Sequence, residues 1–392
     1  MVAGVAIRGD LAPGHQALLS PPALAFLAHL HRMFEETRQS LLRARAERKI
    51  WQQQAWRDGE AGVGFAVESS AIRAGQWRLA TTPAETARWQ SRASGPRTDS
   101  RTSPCTGQWL EAAGQAEATT IRLSLEDALT PTFANLLEEQ FAIRRALADG
   151  TAPSATLLLT PRGWHLPEAH LLVDGAEISG AIFDFGLYFF HNTAALLARG
   201  AAPAFLLPKL EHYLEARLWN NLFVLAQSIL GLPLGTIRAA AEIETVPALF
   251  MAEEILYELR DHAVALGFDR DDYLFSTIRT FAADPTWLLP DLAGIPLESP
   301  PLAAALRQLR FVCERRGAAF IGNTGDAGNP VAAPDREASA TELLARPQGG
   351  TTSTGLAAAI FHCIGYLAGW LAGTASGGTG ERTTDAALAE LY

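Results

Sequence analysis

The sequence predicts an α/β fold of the (β/α)8-barrel type, and three observations point to it. Between about residues 118 and 323, short apolar runs alternate with longer segments whose apolar residues recur at helical spacing. Such alternation implies right-handed βαβ units and a parallel sheet, and the number of repeats favours a closed barrel over an open doubly wound sheet. No GxGxxG follows the first strand and no P-loop occurs, so neither a dinucleotide nor a nucleotide cradle is signalled.

Taken in order, residues 1–117 mix helix with irregular segments. Within them, 21–53 is the clearest helical piece, because Phe26, Leu30, Met33, Phe34 and Leu41 form an apolar stripe. Residues 91–108 are polar and turn-rich and read as a loop. The unit 118–323 carries candidate strands at 119–123, 155–159, 204–207, 236–243, 263–268 and 318–321. Candidate helices are 132–148, 212–230, 246–260 and 302–316. Residues 324–351 read as a connecting loop. Residues 352–392 read as a helical tail, 354–371 and 384–392, split by the glycine-rich 373–380.

Composition limits the function. The net charge is −10, from 32 basic against 42 acidic residues, which argues against a nucleic-acid partner. One or two arginines in a focused pocket could still bind an anion. The three cysteines, Cys105, Cys313 and Cys363, form no CxxC pair, so neither a zinc knuckle nor a disulfide framework is supported. A reducing cytoplasmic setting is expected. No signal peptide is expected, and the apolar stretch 355–373, interrupted by His362, Cys363 and glycines, reads as a packed helix rather than a membrane span.

The densest chemistry lies at 161–192, PRGWHLPEAHLLVDGAEISGAIFDFGLYFFHN. Arg162 follows the buried-looking run 155–159, where a barrel places its chemistry, although an arginine capping a loop would look the same. Glu244 closes the run 236–243, and Asp272 follows the run 263–268. Both acids therefore fall on the same rim, close enough to share one cation, and oxygen-only ligation suits Mg2+. A solvated acidic loop at 269–272 is the alternative. Asp184 reads as a structural acid, while His191 and Asn192 read as caps of a following helix. Glu211 and His212 lie at another strand end and could line the same pocket. Glu253 and Glu254 read as helix-surface charges, and Cys313 and Cys363 as buried small hydrophobes rather than nucleophiles.

These residues resemble the malate synthase family, A form, the enzyme of the glyoxylate shunt. The likeness is carried by PRGWHLPE at 161–168, FDFGLYFFHN at 183–192, LPKLEHYLEARLWNN at 207–221, GTIRAAAEIET at 235–245 and EEILYELRDH at 253–262. Weaker likeness extends upstream through LEDALTPTF at 125–133 and downstream through the tail. The resemblance implies a TIM barrel with an N-terminal helical clasp and a short C-terminal helical cap. It implies Mg2+-dependent condensation of acetyl-CoA with glyoxylate and thioester hydrolysis to malate and CoA.

By motif, Arg162 would bind glyoxylate, Glu244 and Asp272 would ligate Mg2+, and Glu126 and Asp272 would contact substrate. Asp385 would be the catalytic base. The separation 272 − 244 = 28 is the one the family motifs require. Departures from the family pattern are Ser124 in place of a carboxylate, the altered segment 322–326, and a chain that runs only seven residues past Asp385. They motivate a second reading, a paralogue that binds glyoxylate or Mg2+ without turnover. A third is an enzyme of the citrate-lyase β or malyl-CoA lyase type.

Overall fold

The computed structural model describes residues 2–323 apart from 10, 59–61, 83–84, 90–96, 100–119, 127–128, 130–131, 283–288 and 291–294. The expected connecting loop 324–351, the cap 352–392 with Asp385, and Cys105 and Cys363 lie outside the described residues.

The chain opens with β1 (Val5–Ile7), α1 (Pro13–Leu18), the long α2 (Pro21–Arg57) and α3 (Ser70–Ala74). Then follow β2 (Arg97–Asp99), β3 (Thr120–Ser124), α4 (Phe133–Ala148) and β4 (Thr156–Thr160). A hairpin of β5 (Pro167–Val173) and β6 (Ala176–Ser179) precedes α5 (Gly180–Ala198). After it come β7 (Ala204–Leu207), α6 (Tyr213–Ile229), β8 (Arg238–Ile243), α7 (Val246–Phe250) and α8 (Ala252–Glu258). The described chain ends with β9 (Ala263–Phe268), α9 (Arg270–Phe281), α10 (Pro300–Arg316) and β10 (Ala319–Asn323).

Seven strands form one sheet in the order β10-β9-β8-β7-β4-β3-β2, and every neighbouring pair is parallel. Apart from the β5–β6 hairpin, this is simply chain order. A doubly wound sheet would reverse direction at a switch point, whereas this one winds one way throughout, as a (β/α) barrel does. Because all the strands are parallel, their C-terminal ends lie along a single rim.

Period-two alternation assigns the two faces of the sheet. Leu158, Ala204, Leu206, Ala240, Val264, Ala319 and Ile321 form one small apolar cluster, with Trp89 packed into it. The alternate residues Leu157, Leu159, Phe205, Leu207, Ala241 and Ile243 join the large core shared with the helices. Continuing the first face toward the C-terminal ends gives Thr160 on β4 and Glu242 on β8. That face is thus apolar below and polar at the rim.

Outside the sheet, α5 packs against α2 and α4. It is long and apolar enough to cross a membrane by length and composition, but two thirds of that window is buried inside the fold. Phe185, Phe205, Phe223 and Trp219 stack between α5, β7 and α6, with ring centroids 5.0 to 6.1 Å apart. Most of α5 lies in this core, including Asn192. His191 and Asn192 therefore sit mid-helix rather than capping a new one, because the helix starts at Gly180. His191 bonds back to the Leu18 carbonyl through Nε2, 2.7 Å away.

Other expectations shift as well. The three residues Arg97–Asp99 pair with β3 and extend the sheet upstream into the segment read as a loop. The hairpin turns at Asp174-Gly175, where both residues have positive φ (52° and 87°), as a two-residue type I′ turn requires. β1 adds to that hairpin antiparallel through β5, so the N-terminal segment is tied to the barrel insertion. The helix expected over 246–260 breaks at Met251 into α7 and α8. Met33 is 55% exposed, since the buried stripe of α2 passes through Phe26, Leu27 and Leu30.

Candidate functional site

Five consecutive strands of the sheet deliver polar residues to one rim. Glu126 lies two residues past β3, Arg162 two past β4 and Lys209 two past β7. Glu244 directly follows β8, and Asp269 directly follows β9. Strands 4.8 Å apart would otherwise splay like charges into water; here most of these groups are buried, so each must find a partner.

Glu244 and Asp272 meet as the sequence predicts. Glu244 is 1% exposed, and the Lys209 ammonium bridges the pair, 3.1 Å from Glu244 Oε2 and 2.5 Å from Asp272 Oδ2. The Lys209 backbone amide also donates to Glu244 Oε1. Desolvation pushes the Glu244 carboxyl well up; Lys209 pulls it down, while Glu242 and Asp272 push it up again. Asp272 sits in the first turn of α9, not in a solvated loop. Asp269 is the N-cap, its carboxylate accepting from the amides of Asp271 (3.0 Å) and Asp272 (3.1 Å). Burial, with Glu242 and Asp272 nearby, pushes Asp269 up to about 6.

Beneath this pair lies a buried network inside the sheet. Arg122 donates to Thr160 Oγ1 (3.2 Å) and to Glu242 Oε2 (3.0 Å). The carboxylates Glu242, Glu244, Asp269 and Asp272 thus gather at this end of the sheet with Arg122 and Lys209 among them. Sequence reasoning missed Lys209, Arg122, Glu242 and Asp269. The Glu242-Ile-Glu244 spacing did hold a signal, because period two places both acids on one face.

The described residues hold no group of three His, Cys, Asp or Glu side chains arranged to bind a metal. Two carboxylates around one cation fit an ion that takes its remaining ligands from water or substrate. Mg2+ does so, whereas a closed zinc site does not.

Arg162 is 3% exposed, so it is not a surface cap. Its Nε and Nη2 grip Asp184 at 2.9 and 2.8 Å, its Nη1 grips Glu168 at 2.9 Å, and its backbone amide also donates to Asp184 Oδ2. Both partners sit on the β5–α5 segment, Glu168 on β5 and Asp184 in the first turns of α5. The structural reading of Asp184 therefore holds. A guanidinium has five N–H donors, so two are not used by these carboxylates. Glu126 accepts from the Gly163 amide at 2.9 Å and fixes the loop carrying Arg162.

The long helix α2 reaches over this rim. Arg38 donates to the Trp164 carbonyl (2.6 Å), and Arg45 to the Lys209 carbonyl (2.9 Å) and to Glu215 (2.7 and 3.1 Å). Glu211 lies 3.6 Å from Arg45. His212 N-caps α6, its Nδ1 accepting from Leu214 at 3.2 Å. His165 is pushed down to about 4 by burial, then by Arg45, Lys209 and Arg279. Glu253 and Glu254, read as surface charges, are instead buried, bonded to Arg316 and Arg73. Cys313 is buried with its thiol pushed up to about 12, which leaves it an inert hydrophobe.

The family model "Malate synthase, TIM barrel domain" matches residues 156–346, and "Malate synthase, N-terminal domain" matches 3–54. The malate synthase of Myxococcus xanthus (strain DK1622) is 40% identical over 85% of this chain and 63% of its own length. That of Dictyostelium discoideum is 37% identical over 82% of this chain and 60% of its own. The glyoxysomal malate synthase of Cucumis sativus is 33% identical over 99% of this chain and 79% of its own. The chain thus spans a little over 60% of the length of the first of these relatives. A solved Haloferax volcanii malate synthase is similar at TM-score 0.42 and 14% identity, covering 76% of this chain and 78% of that one, too little to bear on residue roles.

Proposed function

Since the chain belongs to the malate synthase family, we propose that it condenses acetyl-CoA with glyoxylate and hydrolyses the thioester to malate and CoA. The observation that carries this reading is the meeting of Glu244 and Asp272 around one cation, on the rim where Arg162 offers two unspent donors. Glu244 and Asp272 would hold Mg2+. When bound, the ion would supply Lewis acidity and a template for the carboxylate and aldehyde oxygens of glyoxylate.

The chain's own residues supply the rest. Asp385 would take a methyl proton from acetyl-CoA as general base. The resulting carbon attacks the aldehyde carbon, the C–C bond forms, and negative charge moves to the aldehyde oxygen. Arg162, locked by Asp184 and Glu168, stabilises that charge without reorganising. The alkoxide would then take up a proton, equivalent to the one Asp385 removed, to give the hydroxyl; water adds its OH to the acyl carbon, and CoA leaves as the thiol with the other proton. Glu126 supports the Arg162 loop through Gly163. The scarcity of cysteine is compatible with a cytoplasmic setting.

The test is release of free CoA from acetyl-CoA plus glyoxylate in Mg2+, with and without chelator. The expected result is release that needs all three components. Absence of release, with Mg2+-dependent glyoxylate binding retained, would favour the paralogue that binds without turnover. The commitment of three of the five Arg162 donors to internal carboxylates is the observation on its side.

A further inference from the structure

Resting on that reading of the metal pair, we propose that Lys209 is the resident counter-ion of Glu244 and Asp272. A divalent cation then binds by displacing the Lys209 ammonium. One residue grips Glu244 twice, through its backbone amide at Oε1 and its ammonium at Oε2, and reaches Asp272 with the same ammonium. An ammonium within bonding distance of both carboxylates occupies the space a shared cation needs, and two cations cannot sit there together without strong repulsion.

The backbone is committed to this placement. Lys209 has φ 53°, a left-handed conformation uncommon for a residue with a side chain, and such strain persists only where the surroundings impose it. Arg45 of α2 holds the Lys209 carbonyl at 2.9 Å and is itself anchored on Glu215. Arg122 bonds Glu242 deeper in the sheet, while Lys209 bonds both members of the Glu244–Asp272 pair. Metal affinity therefore includes the work of moving an anchored lysine, and the lysine keeps the pair from repelling itself when no metal is bound.

The experiment is calorimetric titration of the full chain with Mg2+ alone, paired with thermal unfolding in chelator and in Mg2+. Lys209→Met should bind Mg2+ about tenfold or more tightly than wild type, because nothing is displaced. It should also melt several degrees lower in chelator and recover in Mg2+ by more than wild type does. A lysine with a merely structural role would lower the melting point equally in both media. Lys209→Arg keeps the charge and grips a carboxylate with a fork, so it should bind Mg2+ no more tightly than wild type.

Wild type that binds Mg2+, with Lys209→Met equal or weaker, overturns the exchange and leaves the metal reading standing. Mg2+ binding by neither protein overturns both. If Lys209→Met does not fold, tighter Mg2+ binding by Lys209→Arg is the contrary result.

Discussion

At the scale of single residues, Arg162, proposed to face the substrate, is also a structural group. Its guanidinium joins β4, β5 and α5 through Glu168 and Asp184, all of them buried. A lysine there keeps the charge but cannot bond Asp184 through two nitrogens and Glu168 through a third. Arg162→Lys should therefore cost about 1–3 kcal/mol of folding stability, the penalty for leaving a buried acceptor unsatisfied. CoA release should fall further still. Denaturant unfolding beside the CoA assay separates the two losses, and a variant with wild-type stability and turnover would remove Arg162 from both roles. The positions of Arg162, Glu244 and Asp272 were legible because each follows an apolar run by a few residues. Their partners were not: Glu168 and Lys209 take meaning only from neighbours brought near by other strands.

At the scale of elements, the strands were the easiest part to read. Residues 204–207 and 263–268 form β7 and β9 as their apolar runs indicate, and Thr132 and His212 cap α4 and α6 at the expected helix starts. The misreadings share a physical cause, which is that burial overrides local pattern. The histidine and asparagine at 191–192 look like punctuation, yet α5 is wrapped in core and tolerates them mid-helix. The same override ties α2 to the rim. Its stripe gives way to Arg38 and Arg45, which clamp the loops after β4 and β7. Arg45→Ala would remove the fork that holds Glu215, 1% exposed, and leave it the Glu211 amide at 2.8 Å and Arg48 at 3.7 Å. It should cost about 1–3 kcal/mol, the range for hydrogen bonds lost from a buried group that keeps other partners. A change within about 0.5 kcal/mol, as at an ordinary surface position, would show that α2 does not clamp the rim.

At the scale of the whole molecule, a singly wound parallel sheet gathers the ends of β3, β4, β7, β8 and β9 onto one rim, so residues 126 to 272 can act together. That rim has a carboxylate pair around one cation and a guanidinium, which under the proposed function would hold and polarise glyoxylate. Carbon acids need one thing more, a base placed over the bound pair in a site dry enough for a carboxylate to work. The resemblance assigns that base to Asp385, outside the described residues. This division of labour makes a sharp expectation. Asp385→Asn should leave Mg2+ and glyoxylate binding at wild-type strength by calorimetry, because Glu244, Asp272 and Arg162 are untouched. Deuterium uptake from D2O into the methyl group of acetyl-CoA should fall by about 10²–10⁴-fold, the usual contribution of a positioned base. If binding falls as well, the segment carrying Asp385 helps to build the pocket. If exchange persists, the proton goes to another group, and Asp269, pushed up to about 6 on the same rim, becomes the residue to substitute next.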